Sequence, residues 1–172
     1  DTETIIVTGD LDTLQLVDEN TKVYTFRRGI RDTILYDEEK VKEKYQGLNP
    51  SQLPDFKALR GDPSDNIPGV LGIGEKTAIP LINDFGSLEN LFKELEENSE
   101  KAKKIKSPLS KKLIESKETA FFSKMLVSIK KDVPLDFDLE RCRWDGYDKE
   151  KAIGLLKNFD FNSDGVLDVK IS

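Results

Sequence analysis

Histidine is absent from this 172-residue sequence, and cysteine, methionine and tryptophan occur once each. Without histidine there is no His-based triad and no imidazole general base, and the common zinc ligand sets are excluded. Cys142 alone cannot close an internal disulfide. No apolar run reaches the roughly 18 residues that a membrane-crossing helix needs, and no charged-then-apolar leader precedes the first strand-like segment. The expected location is therefore the cytoplasm. An initiating Met is also missing: Asp1 is followed almost at once by Ile5-Ile6-Val7, which reads as a piece of a longer protein. Any catalysis must rest on carboxylates, lysines or a bound hard cation.

Charge is what the sequence has in abundance. Charged residues make up 35% of the chain and the formal net charge is −6. Residues 1–100 hold 21 acidic and 11 basic residues, a balance of −10, whereas residues 101–172 hold 12 and 16, a balance of +4. Overall acidity argues against indiscriminate polyanion binding, since phosphate affinity comes mainly from lysine and arginine releasing counterions. A local basic track remains: Lys101, Lys103, Lys104, Lys106, Lys111, Lys112 and Lys117 are opposed in their own stretch only by Glu115. That track fits a nucleic-acid backbone or, more ordinarily, a solvated helix face.

Periodicity predicts a mostly helical α/β chain. Strands are expected at Thr4 to Thr8, Lys22 to Arg27 and Thr33 to Tyr36, with an Arg28-Gly29 turn before the third and a short helix around Leu14, Leu16 and Val17. Asp37 caps a helix through Tyr45, and Asn49-Pro50 opens one to about Leu59, ended by Gly61-Asp62-Pro63. A glycine-punctuated hairpin, Ser64 to Gly74, leads into a helix from Glu75 to Phe85, where Pro80 is expected to produce a kink or irregularity. Gly86 stops that helix and Ser87 caps the next. Ser107-Pro108 starts a long helix to Ile129 with Leu109, Leu113, Phe121, Phe122, Met125 and Leu126 inward. Asp132 to Asp138 is extended, and Asp148 caps a last helix to Asn158, after which Phe159 and Phe161 are expected to pack.

Two aspartate pairs lie on irregular backbone: Asp10 with Asp12, and Asp62 with Asp65. Residues two apart on extended chain point the same way, and residues three apart on a turn share a face. Each pair suits one hard cation such as Mg2+ or Mn2+, and each equally suits helix capping. The stretch Gly69-Val70-Leu71-Gly72-Ile73-Gly74-Glu75-Lys76-Thr77 lets backbone amides approach an anion just before a helix start. It is not a nucleotide-binding P-loop, which needs Gly-Lys-Ser/Thr, and its Gly-x-x-Gly-x-Gly spacing misses the dinucleotide fingerprint. Either a helix-hairpin-helix gripping a DNA backbone or a plain tight turn remains, with Val70 and Ile73 locking the two helices.

Thr8-Gly9-Asp10-Leu11-Asp12-Thr13-Leu14, Gly61-Asp62-Pro63-Ser64-Asp65-Asn66-Ile67-Pro68-Gly69-Val70 and Gly72-Ile73-Gly74-Glu75-Lys76-Thr77-Ala78 together resemble the 5′-3′ exonuclease domains of bacterial type I DNA polymerases, within the flap endonuclease family. The likeness runs over residues 1–163. It implies a remnant of a parallel sheet plus a helix-three-turn-helix, divided as residues 1–48 of the nuclease core, a helical subdomain over 49–163 and a divergent tail over 164–172. It further implies a structure-specific nuclease of DNA replication and repair that cuts 5′ flaps and nicked duplexes with two divalent metals. On that resemblance Asp10, Asp12, Asp62 and Asp65 are metal ligands. DNA contacts fall to Lys57, Gly69, Val70, Gly72, Ile73, Gly74, Lys76 and Thr77, and a K+ ion is expected at the hairpin carbonyls.

The resemblance also places a first carboxylate group, a Glu-x-Asp-Asp stretch, and a basic helical arch upstream of residue 1, and leaves open a polymerase domain in the same protein. Weak or absent nuclease activity is therefore expected of this chain alone. A non-catalytic DNA-binding module and a decayed nuclease segment are the alternatives. After Ser163 the family pattern is lost, and Asp160 to Gly165 matches the first half of a calcium-binding loop, though Ile171 stands where the bidentate Glu belongs.

Overall fold

The computed structural model describes residues 2–26, 32–144 and 146–159. The Arg28-Gly29 turn, Phe161 and the calcium-loop-like stretch fall outside them. The chain divides into two compact units, 1–131 and 132–172.

The first unit begins with three strands, β1 (Thr4–Val7), β2 (Thr21–Phe26) and β3 (Thr33–Tyr36), in that spatial order. β1 and β2 run parallel with Thr4 opposite Thr21 and Val7 opposite Tyr24, whereas β2 and β3 are antiparallel with Val23 opposite Tyr36. The sheet is thus mixed, a parallel pair extended by a hairpin strand. The β1 to β2 crossover carries a 3₁₀ turn over Leu11–Leu16, which buries Leu14 completely.

Six α-helices follow in this unit among the described residues. α1 (Glu38–Lys44) is capped by Asp37, whose carboxylate accepts from the Lys40 amide, and carries Glu38 and Glu39 in its first turn and Lys42 and Lys44 in its last, as the helix dipole favours. α2 (Leu53–Arg60) follows a 3₁₀ turn opened by Asn49 and ends at Gly61, whose φ of +79° suits glycine. α3 (Glu75–Phe85) and α4 (Leu88–Glu96) are separated by Gly86 and the Ser87 cap. α3 is continuous through Pro80. That side chain is exposed, so the Lys76 carbonyl it leaves unbonded can face water.

The long helix expected from Ser107 is two helices, α5 (Ser107–Glu115) and α6 (Lys117–Val127), broken at Ser116. The Ser116 amide is shared between the carbonyls of Lys112 and Leu113. Each half answers a different partner: α5 packs against α4 and α6 runs along α2. The inward face of α6 also differs from the expectation. Phe122, Met125 and Leu126 are exposed, and Ala120, Ser123 and Val127 are buried instead. Small side chains allow α6 to lie close along α2, where Ser123 Oγ accepts from the Gly69 amide at 3.2 Å.

One apolar cluster joins Phe56, Leu59, Val70, Ile73, Ile82, Phe85, Leu91 and Phe92 with Leu113 and Ala120. A smaller one joins Leu14, Val17, Val23, Tyr36 and Val41 with Leu53. α2 contributes to both, Leu53 to the smaller and Phe56 and Leu59 to the larger, while Tyr45 packs against each. Buried Gln15 adds a polar tie, donating to the Val127 carbonyl at 3.0 Å and accepting from the Ile129 amide at 2.9 Å. Through these links the 3₁₀ turn bearing Asp12 is held against α2 and the end of α6.

In the second unit, residues 132–139 have no regular secondary structure, and α7 (Lys149–Asn158) is capped by Asp148. Phe159, expected to pack, is exposed.

Candidate metal centre and DNA-binding hairpin

Gly61 ends α2 and turns the chain into a tight loop closed by a two-residue bridge: the Asp62 amide donates to the Ile67 carbonyl at 3.0 Å, and the Ile67 amide returns to Asp62 at 2.9 Å. Asn66 closes the loop in the left-handed region at φ +57°. Asp62 Oδ1 accepts from the Ser64 amide at 3.1 Å and the Ser64 hydroxyl at 2.5 Å, so its carboxylate is oriented before any ligand arrives. Pro63 to Asp65 forms one 3₁₀ turn, which brings Asp65 round to the same side.

Asp12 reaches this loop from the β1 to β2 crossover. One carboxylate oxygen each from Asp12, Asp62 and Asp65 lies within 4.8 Å of the others. Asp10 is not part of this group: its Oδ1 accepts from the Asp12 amide at 2.8 Å and caps the 3₁₀ turn. Its position two residues before Asp12 would share a face only on extended backbone, and the turn begins between them.

Lys57, one turn before the end of α2, inserts its ammonium between Asp12 and Asp62, donating to Asp12 Oδ1 and to Asp62 Oδ2, the latter at 2.7 Å. Burial alone would raise the Asp62 carboxyl, but the bonds from Lys57 and Ser64 outweigh it and hold it below the ordinary aspartate value. Burial likewise opposes the Lys57 ammonium, and the two carboxylates more than compensate, holding it above the usual lysine value. One cation thus faces three carboxylates. Asp65 is exposed, and its carboxylate has no hydrogen bond or ion pair among the described residues. An all-oxygen set with surplus negative charge and an unengaged member fits a hard divalent cation.

The hairpin follows directly. Val70 and Ile73 are buried and their amides are used within the chain, Val70 donating to Leu59 and Ile73 to Val70. Only their backbone could meet a ligand, through its carbonyls. Gly69 has φ +61°, and a Cβ there would collide with the Gly61 backbone, so the hairpin is pressed onto the end of α2. The amides of Gly72, Gly74, Glu75 and Lys76 make no hydrogen bond among the described residues, and Gly74 is the N-terminal cap residue of α3. The Thr77 amide is engaged, donating to the Gly74 carbonyl at 3.0 Å, and the Lys76 side chain is exposed. Four free amides around a helix start, with the Lys76 side chain beside them, form an anion-receptive edge.

Sequence reasoning missed the buried Asp55. It accepts from the Leu88 amide at 3.2 Å and pairs with Lys124 at 2.5 Å, and Lys124 in turn bonds Glu89 at 2.8 Å. An acid in the first turn of a helix signals only dipole matching. That its partners stand on α4 and α6 is a tertiary fact.

Among known proteins, the family model described as "5′-3′ exonuclease, C-terminal SAM fold" matches residues 48–150. DNA polymerase I of Bacillus subtilis is 43% identical over 94% of this chain, and that of Caldicellulosiruptor bescii 45% over 92%. The match covers 18% of each of these relatives, so the chain spans less than a fifth of their length. Among solved structures, the T5 5′-exonuclease with bound zinc ions superposes with a TM-score of 0.58 at 23% identity, over 73% of this chain and 42% of that one. A T5 flap endonuclease complex with DNA and metal ions gives 0.57 at 22%, with the same shares. At that identity these two bear on the fold, which they share. The match over more than half of the residues settles descent: the chain belongs to the 5′-3′ exonuclease family.

Proposed function

We propose that this chain supplies one carboxylate group and the duplex-gripping hairpin of a nuclease that hydrolyses DNA phosphodiesters at 5′ flaps or nicks. The carrying observation is the convergence of Asp12, Asp62 and Asp65, from segments about fifty residues apart, into a site with more negative charge than Lys57 can balance. A module that only bound DNA would gain nothing from three carboxylates beside its phosphate site. Mg2+ or Mn2+ is the cation proposed for it, and the chemistry such an ion supplies is activation of water and polarisation of a phosphoryl oxygen.

The chain's own residues divide the remaining work. Asp62 and Asp65 hold the cation from the loop and Asp12 from the crossover. Asp10 orients Asp12 by capping its amide. Lys57 balances two of the carboxylates, so contact with DNA from Lys57 would require it to leave them. The amides of Gly72 and Gly74 and the Lys76 ammonium receive a backbone phosphate without reading bases, and the hairpin carbonyls are a proposed K+ site. Residues 1–48 act as the edge of a nuclease core, 49–163 as the DNA-gripping subdomain and 164–172 as a tail.

The sequence contains no Glu-x-Asp-Asp stretch, so a second carboxylate group must come from elsewhere in the protein. Titrating the chain with Mn2+ by calorimetry tests the reading. Binding that Asp62→Ala and Asp65→Ala each abolish is expected. Unaltered binding in both variants would remove the metal assignment, and efficient Mg2+-dependent flap cleavage by this chain alone would overturn the division of labour.

A further inference from the structure

Lys112 lies on α5, forty residues beyond the hairpin, yet its ammonium sits over it: a methyl group placed on Gly72 would lie 2.8 Å from Lys112 Nζ. The other lysines of the basic run are mostly committed elsewhere. Lys101 donates to the Asp84 carbonyl, Lys103 pairs with Glu100 at 2.6 Å, Lys111 with Glu115 at 3.9 Å, and Lys117 with Glu96. Lys112 has no carboxylate partner and no hydrogen bond among the described residues.

Both sides of this approach are rigidly backed. Leu113, adjacent to Lys112, is fully buried, and Val70 and Ile73 seat the hairpin in the same apolar cluster. The closeness of the ammonium to Gly72 is thus set by two anchored elements, although the lysine stem itself is flexible. Gly72, at φ +77°, has no side chain to fill the space between them. Gly72 thus combines a free amide with a neighbouring unpaired ammonium, and it lies three residues before the start of α3 and four before Lys76. Unpaired positive charge beside free amide donors suits an anion with several acceptor oxygens.

We propose that Lys112 is a phosphate contact, closing the hairpin's cradle on a DNA backbone phosphate from the α5 side. This rests on the reading of the hairpin as a duplex-binding element and adds a residue to it. The basic run then acts through one lysine carried to the hairpin by tertiary packing, and its ion-paired neighbours are solvated surface.

The test is fluorescence anisotropy of a labelled nicked duplex with the chain over a KCl series, without divalent metal, for the parent, Lys112→Ala, Lys112→Arg, Lys76→Ala and Lys103→Ala. One lost phosphate contact lowers the slope of log affinity against log salt by about 0.9 and raises Kd roughly three- to tenfold at low salt. Lys112→Ala and Lys76→Ala are each expected to show this, with Lys112→Arg and Lys103→Ala near the parent. Superimposable thermal melts of Lys112→Ala and parent show that the loss is not one of folding. A parental slope in Lys112→Ala alongside a reduced one in Lys76→Ala overturns the Lys112 assignment and leaves the hairpin reading standing. A parent that does not bind duplex overturns both.

Discussion

Lys57 and Lys124 each join two carboxylates from different segments of the chain, and the surroundings make them different devices. Lys124 joins Asp55 on α2 to Glu89 on α4 from α6. Asp55 is buried and takes an amide bond from Leu88 at the start of α4, so that cluster is bonded throughout and carries one surplus negative charge. Lys57 joins Asp12 to Asp62 in the same way, but Asp65 is added with no partner of its own, and the surplus is two. A complete cluster fastens helices together. An overloaded one, open at Asp65, keeps a demand for positive charge that a soluble cation can meet.

Removing a carboxylate separates the two most sharply. Asp62→Ala or Asp65→Ala should weaken Mn2+ binding by more than about a hundredfold, since loss of a ligand costs at least as much as loss of a supporting residue. Without metal, Asp65→Asn should change unfolding stability by less than about 0.5 kcal/mol, because the side chain is exposed and unbonded. Asp55→Ala should do the reverse. Mn2+ affinity stays at the parental value while urea unfolding reports a loss of about 2 to 3 kcal/mol, as the Leu88 amide and Lys124 each lose a partner in a mostly buried site. Equal stability losses for Asp55→Ala and Asp65→Asn would erase the distinction.

Lysine replacement gives a smaller effect with a telling pattern. Lys124→Met strands the buried Asp55 charge and should cost about 2 kcal/mol whether or not metal is present. Lys57→Met leaves three carboxylates facing one another, costs about 1 kcal/mol in EDTA, and should be rescued by Mn2+, which binds the folded state alone. Melting curves with and without Mn2+ measure both. Failure of rescue for Lys57→Met would mean that the cluster has no use for an external cation.

The contrast also marks what could be read from residues alone. Caps and stops were legible because they act within four residues: Asp37, Ser87 and Asp148 cap where expected, and Gly61 and Gly86 end their helices. Asp62 and Asp65 converge because a single turn joins them, which spacing encodes. The diversion of Asp10 to capping depended on where the 3₁₀ turn begins, a one-residue matter. Lys57 is five residues before Asp62, yet its insertion between two carboxylates depends on Asp12 being delivered by another segment. The inward face of α6 was misjudged because large apolar residues were assumed to define it. Close contact with α2 instead selected Ala120 and Ser123. The likeness to a family supplied the chemistry of the aspartates, which capping alone would equally have explained.

The smallest expected effect is on pH dependence, and here the complete cluster carries opposing signs. Burial raises the Asp55 carboxyl above 3.8 despite its bonds to Lys124 and Leu88, whereas Glu89, where bonding to Lys124 outweighs burial, lies below 4.5. A raised folded value means that the native state holds the Asp55 proton more tightly than the unfolded chain. Its contribution to stability therefore grows as pH falls through that raised value toward 3.8. Glu89 contributes in the opposite sense: its share is present above 4.5 and is lost as pH falls through its lowered value. Asp55→Asn removes only the first. Parent and variant compared by urea unfolding from neutral pH down to about 4 should diverge steadily in the parent's favour, while Glu89→Gln against parent should converge below about 4.5 by a few tenths of a kcal/mol. Parallel profiles for Asp55→Asn and parent would mean that Asp55 titrates alike in the folded and unfolded chain, and burial would then not be what sets it apart from Asp62, whose carboxyl is held low by Lys57 and Ser64.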